Sequence, residues 1–594
     1  MKRIVLPRRR RDEAGATAVL VAMFFSFIAL PLGAVSVDVA RLYVELERVQ
    51  AAADAAATAG VTYMPDDFAA AKARAIEIAG DNGFPNSGST SVVVTAGEKP
   101  TQLKVTVSST VDNSFARTFG MSQSTMSRSA VADFNGPAPM GSPCNTFGNE
   151  PAGTAQRPQI GSGLVEPDVY ADCSSRPMFW ASAAGPNVVK TQGDQFGTRY
   201  CGASEARCTG RANDDFDPNG YFYLVRVAPA AVGSNITLQV FDPAYVSTES
   251  RCTSVSVPSS NNWNDYTTAD AKSRYANTPN DWCTGDNDNS DSGQRQGPSG
   301  VMTSHVPTVT SFGLRAPVDT LQPIQAPPVA GCAKQYPGYG ASGTSVTFPN
   351  ANSFKKGDGS YDDKLARVFH HWVTLCTFTP DKAGDYYLQV RTNVPLSTAS
   401  YDNNGGYNNT AVFTQAGDNL SALGTGTNRF GLRALTGAAG AVSVSAYDRM
   451  PIFANSDSAD TTFNLVRVIP AAASKTLVFS FFDVGEASSA LGGTLKVVPP
   501  ADAVGISTNI AGCTGEGKLK GNLTDCQISG ISSAAGWDGQ YQEIRVPIPS
   551  SYSCKSAFAG GCWFQVKVSF PGSTVTDATT WTARIAGEPV RLIE

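Results

Sequence analysis

Two stretches decide how this chain is read: Tyr221–Asp242, YFYLVRVAPAAVGSNITLQVFD, and Thr462–Asp483, TFNLVRVIPAAASKTLVFSFFD. Both run F-x-L-V-R-V-x-P-A-A and then an apolar strand that ends in Phe-Asp. Alternate residues of a strand share a face. Phe222, Leu224 and Arg226 are therefore expected to point one way, with Val225 and Val227 pointing the other. Phe463, Leu465 and Arg467 should likewise oppose Val466 and Val468. The purely apolar valine face is assigned to the interior.

Outward from these stretches, three more matches follow in the same order. Leu314-Arg315 leads to Ala330-Gly331-Cys332, and Leu495-Lys496 leads to Ala511-Gly512-Cys513 over an equal interval. Ala383–Arg391 corresponds to Ala559–Lys567, and Phe430-Gly431-Leu432-Arg433 to Trp581-Thr582-Ala583-Arg584. Four matches in one order read as an internal duplication. Each copy is a series of short apolar/polar alternations separated by Gly, Pro, Asn and Asp, the pattern of an antiparallel β-sandwich. The expected units are 221–440 and 441–594, preceded by a Cys-containing linker or small β region at 135–220. The first unit carries a polar insert at 247–305, expected to be a surface loop.

The chain has 594 residues, 42% of them apolar, which is more than one core usually supports. Its net charge of −5 argues against a nucleic-acid partner. All twelve cysteines lie at or beyond Cys144, which fits structural disulfides in an oxidising compartment. No CxxC pair suggests zinc. Equivalent positions in the duplication predict Cys332–Cys376 and Cys513–Cys554. Cys252 and Cys283 would staple the insert, and Cys526 and Cys562 are left in the second unit. Cys144, Cys173, Cys201 and Cys208 would pair among themselves.

Residues Ala16–Val37 carry no charged side chain. At about 1.5 Å per residue they would span roughly 33 Å, enough for a bilayer core. Arg8, Arg9, Arg10 and Arg11 precede them, so residues 1–15 are expected in the cytoplasm and everything after Asp38 outside. A cleaved signal peptide is the competing reading, with Ala34-Val35-Ser36 as the cut. Against it, the helical pattern continues: Leu42, Leu46, Val49 and Ala53 mark one helix face. Prepilin-type processing at Gly15 would need a glutamate five residues on, where Leu20 stands.

Asp12-Glu13-Ala14-Gly15 stand just before the span, and Val37–Tyr43 and Val49-Gln50, leading into Ala51-Ala52-Ala53-Asp54-Ala55-Ala56-Ala57, follow it. In order and spacing these resemble the TadE/TadG-like proteins of tight-adherence (Flp-type) pilus systems. The resemblance runs to about Phe134. It implies a small α/β domain at 38–134 with a short turn at Ser114–Gly120; residues 66–80 read as a second helix, 91–96 and 103–110 alternate apolar and polar residues as half-buried strands do, and a final strand is expected at 125–134. Family members are implied to assemble, anchor or decorate such pili, with the membrane, other Tad proteins or pilin as partners.

Signals of chemistry are sparse. Asp215-Phe216-Asp217-Pro218-Asn219-Gly220 resembles the start of a calcium loop, but Arg226 stands where the closing glutamate belongs, so an Asx turn is expected. Asp288-Asn289-Ser290-Asp291-Ser292 matches a D-x-S-x-S metal motif but falls in the polar insert. His370 and His371, adjacent on a strand, would point to opposite faces. His305 is the third and last histidine. No nucleophile elbow, HExxH helix or phosphate loop is present. No cofactor, metal or catalytic residue is therefore assigned. The expected fold is mainly β, with an N-terminal α part and one transmembrane helix. The expected role is a membrane-anchored structural and interaction protein of a tight-adherence pilus. The alternative is a membrane-tethered hydrolase or carbohydrate-binding protein with sandwich recognition modules.

Overall fold

Alanine-rich sequence propagates helix and lets elements pack closely, and the longest helix follows that composition. A computed structural model describes residues 14–26, 30–64, 68–98, 101–134, 137–142, 146–147, 179–202, 204–245, 287–288, 308–318, 322–338, 372–397, 406–414, 424, 426–438, 440–456, 460–484, 492–555, 561–570, 575–586 and 590–592. The chain forms two units, one of residues 1–134 with 590–594 and one of residues 135–589.

In the first unit, α1 spans Ala14–Phe24, α2 Leu30–Gly60 and α3 Phe68–Asp81. Strands β1 (Thr90–Ala96), β2 (Gln102–Asp112) and β3 (Gln123–Phe134) form an antiparallel sheet against the helices. Val49, Ala53 and Ala57 of α2, Ala71 and Ala75 of α3, and Val105, Val107 and Ala130 of the sheet are all buried in one cluster. Small side chains on both helices allow that close packing. Val19, Leu20, Val21, Met23, Phe24 and Phe25 are each 50–67% exposed. Among the described residues no helix is long and apolar enough to cross a membrane. Residues 27–29, inside the expected span, lie outside the described residues.

The second unit is two large antiparallel sheets sharing one core. Its strands are β4 (Met140–Gly141), β5 (Trp180–Ala184), β6 (Tyr221–Val227), β7 (Ile236–Phe241), β8 (Thr310–Arg315), β9 (Pro328–Tyr336), β10 (Trp372–Phe378) and β11 (Gly384–Arg391). They continue with β12 (Gly426–Thr436), β13 (Val442–Tyr447), β14 (Arg449–Ser456), β15 (Asp460–Arg467), β16 (Thr476–Phe482), β17 (Gly493–Val498) and β18 (Cys513–Gly517). The last are β19 (Gln527–Ile531), β20 (Tyr541–Pro547), β21 (Trp563–Ser569) and β22 (Val575–Ile585). One sheet contains the order β10-β7-β12-β5-β14-β22-β16-β20-β18, and the other β9-β8-β11-β6-β13-β4-β15-β21-β17-β19. Rings meet between the sheets: Phe430 of β12 lies 5.9 Å from Tyr223 of β6 and 5.4 Å from Phe312 of β8.

Both opening stretches are strand, 3-10 turn, strand. Pro229 and Pro470 begin the turns. Gly233 and Ser474 follow them at φ 77° and 64°, and Asp242 and Asp483 close the second strands at φ 50° and 64°. Sheet neighbours correspond as well: β8-β11-β6 matches β17-β21-β15, and β10-β7-β12 matches β20-β16-β22.

Several expectations are corrected by these pairings. Val240 pairs with Leu432, and its counterpart Phe481 pairs with Trp581. Trp581 therefore matches Leu432 rather than Phe430, a shift of two residues that keeps the face. The boundary at 440/441 also moves, because β13 pairs with β6 of the first sandwich copy from Val442↔Val227 onward. Of the two readings for 135–220, the described residues support the β region: β4 lies between β13 and β15, and β5 between β12 and β14, stitching the copies edge to edge. The C-terminal strand β23 (Val590–Leu592), assigned to the second sandwich, instead pairs with β3 of the first unit.

Val225 and Val227 lie in the main core, whereas Phe222 and Leu224 form a separate cluster with Ala326 and Tyr387. The second copy departs from this alternation. A bulge between Asn464 and Val466 breaks the two-residue period, and Phe463, Leu465, Val466 and Val468 all join the main core.

Candidate functional site

Asp38 is the first buried residue of α2 among those whose side chains are described, at 3% exposure. Its carboxylate accepts from the backbone N–H groups of Ser114 (3.1 Å), Phe115 (2.7 Å) and Ala116 (2.7 Å). These N–H groups open the 3-10 turn Ala116–Phe119, which has no side-chain cap of its own. Asp38 thus caps a turn more than seventy residues away, placing a negative charge where donors are unsatisfied. Above all the Ala116 N–H, with those of Phe115 and Ser114 and the Arg41 guanidinium, holds the Asp38 carboxyl below its ordinary range against the opposing effect of burial. Arg41 adds a 2.5 Å hydrogen bond from Nη1 to Ser114 Oγ. Gly120, at φ 86°, closes the turn, with Met121 N donating to Ala116 O.

Further along α2, Glu45 accepts from Ser109 Oγ at 2.9 Å, and Gln50 donates to Asp54 at 2.7 Å. The residues carrying the resemblance, Asp38 and the Ser114–Gly120 turn, thus meet in space. The arrangement fixes a hairpin tip to a helix. It offers hydrogen bonds and a charge, with no nucleophile or paired acid and base.

The second unit holds polar centres that sequence reading missed. Lys190 is fully buried, with Nζ 2.8 Å from Asp215 Oδ2, 3.0 Å from Ala206 O and 5.0 Å from the Phe482 ring centre. Burial lowers its pKa despite Asp215. Asp194 is buried too, and accepts from Ala184 N (2.9 Å), Gly197 N (2.6 Å) and the Tyr221 hydroxyl. Burial pushes the Asp194 carboxyl up. Asp217 pairs with Arg449 and accepts from Asn219 N at 2.8 Å. The carboxylates of the calcium-like stretch thus engage Lys190 and Arg449 within an Asx turn. A lone Lys in Val188-Val189-Lys190 carries no mark of burial. The flanking Gly193 and Gly197 were the only signal of a tight loop around Asp194.

Among the described cysteines, Cys201 joins Cys208, Cys332 joins Cys376, Cys513 joins Cys526, and Cys554 joins Cys562. The expected Cys513–Cys554 pair is corrected. Cys376 pairs across from Leu238, and the matching Phe479 pairs with Ile544. Ile544, not Cys554, is therefore the counterpart of Cys376. The third strand after each proline turn also changes sheet: β9 pairs with β8, but β18 pairs with β20. Cys513 thus moves beyond reach of an equivalent cross-sheet partner and binds Cys526. Sulfur and oxygen atoms of Cys201, Glu205 and Cys208 lie within 4.8 Å of one another. The disulfide occupies both sulfurs, leaving only a carboxylate to offer a metal. Cys144, Cys173, Cys252, Cys283, His305, His370, His371 and the D-x-S-x-S residues after Asp288 lie outside the described residues.

Residues 15–71 match a family model described as Putative Flp pilus-assembly TadE/G-like. The N-terminal segment is TadE/G-like. The TadE/G-like match takes in nearly all of α1, the whole of α2 with Asp38, and the start of α3. It supports a part for this protein in Flp pilus assembly. No curated protein and no solved structure matches the chain.

Proposed function

We propose that this protein is a membrane-anchored, extracytoplasmic structural component of a Flp-type pilus system, with no catalytic role. The observation that carries the reading is the TadE/G-like match over an apolar helix whose large side chains are exposed. Exposed apolar patches of that kind mark contact with a membrane or partner. The basic cluster before the helix favours a cytoplasmic N-terminus. The disulfides all lie beyond it, as an oxidising compartment would allow. The two sandwich copies are read as a duplication fused into one body that meets other pilus-assembly proteins or pilin. Matched strand orders and matched positive-φ positions support that reading.

The test is fractionation of cells carrying a C-terminally tagged copy, followed by protease treatment of spheroplasts. The tag is expected in the membrane fraction and accessible to protease. A soluble mature protein beginning near Val37 would overturn the anchor.

A further inference from the structure

The chain descends along α2 in steps that the contacts mark out. Leu103 at the start of β2 lies against Gly60 at the far end of the helix. Ser109 reaches Glu45, and Ser114 to Ala116 reach Asp38. At about 1.5 Å per helical residue, Gly60 to Asp38 covers roughly 33 Å. Strand β2 therefore runs toward the N-terminal end of α2. The tip between β2 and β3 is its lowest point before β3 returns.

That tip is unlike a water-facing turn. Phe115 is 46% exposed and Met121 55% exposed. Arg41 and Arg117 are exposed at the same end. Two large apolar side chains with flanking arginines are the composition of an element that enters the headgroup boundary of a bilayer. Asp38, the cap that fixes the tip, directly follows the apolar stretch Ala16–Val37.

We infer that the Ser114–Met121 turn is a second membrane contact, with Phe115 and Met121 inserted at the acyl–headgroup boundary and Arg41 and Arg117 facing lipid phosphates. The inference rests on the anchor reading above. The Asp38 cap then fixes the tilt of the first unit against the bilayer, because a helix alone leaves rotation about its axis free.

The experiment uses full-length protein in vesicles of phosphatidylcholine and phosphatidylglycerol containing nitroxide-labelled lipid. Leu20→Cys, Phe115→Cys, Met121→Cys and Val93→Cys are each labelled with an environment-sensitive fluorophore without reductant, and the unsubstituted protein sets the background. Val93 is a control in the same unit, 56% exposed on β1 and paired with Thr106, well back from the tip. Quenching at positions 20, 115 and 121 but not 93 is expected. Quenching at 20 with 115 and 121 behaving like 93 overturns the second contact and leaves the anchor standing. No quenching at 20 overturns the anchor and the inference with it.

Discussion

At the scale of single residues, two charges hold long-range contacts and differ in how they should respond to change. The Asp38 carboxyl is held below its ordinary value of 3.8. A depressed carboxyl contributes fully above its unfolded value and loses that contribution as pH falls toward the folded one. Hydrogen exchange of the segment around Ser114–Ala116, corrected for intrinsic rate, should therefore stay flat from about pH 7 to about pH 5 and rise below about pH 4. Asp38→Ala should speed that exchange at neutral pH, and Asp38→Asn by less, since an amide oxygen still accepts. Lys190 is a different case, because its ammonium is fully buried against Asp215. Lys190→Ala leaves Asp215 only its 3.6 Å pair with half-exposed Arg207 and the Gln195 hydrogen bond, and should cost up to about 3–5 kcal/mol in denaturant unfolding. Lys190→Met combined with Asp215→Leu should cost less than the single change, because no lone charge remains.

At the scale of elements, the proline turns of the two copies give a paired experiment. Gly233 at φ 77° has no atom within 4 Å of where a Cβ would stand, so only backbone strain opposes a side chain there. Gly233→Ala should cost about 1–2 kcal/mol. Ser474→Gly at the matching position should relieve comparable strain and raise the midpoint slightly. Val466, fully buried, should cost about 1–3 kcal/mol when cut to Ala. Arg467 is less dispensable than its alternation with the valines suggested: it is 7% exposed and donates to Gly561 O at 3.2 Å. These elements also show what was legible in the sequence. Strand type and the valine face of the first copy follow from local pattern and were readable. The bulge at Asn464–Val466, the two-residue shift of Trp581 and the change of sheet at β18 depend on partners far along the chain. Asp38 was readable as part of a motif, but its partner turn was legible only as a neighbouring fragment of the same resemblance. Lys190 offered no pattern at all.

At the scale of the whole molecule, the disulfides and the C-terminus tie distant parts together. Peptide mapping without reduction should recover Cys201–Cys208, Cys332–Cys376, Cys513–Cys526 and Cys554–Cys562. A Cys513–Cys554 peptide would contradict the sheet change at β18. Cys332–Cys376 links β9 and β10, which belong to different sheets. Replacing both cysteines with Ser should cost about 2–5 kcal/mol. Ending the chain at Pro589 removes β23 and should lower the melting temperature of the first unit, read by exchange in β3. That terminal strand has a further consequence for biogenesis. The first unit emerges first from the ribosome, yet its sheet stays one strand short until Val590–Leu592, more than 450 residues beyond Phe134, have been made. Through synthesis and export β3 keeps an open edge, which is both a hazard for aggregation and a handle for proteases. A nonsense or frameshift product would carry the complete helix and TadE/G-like segment but never close that edge.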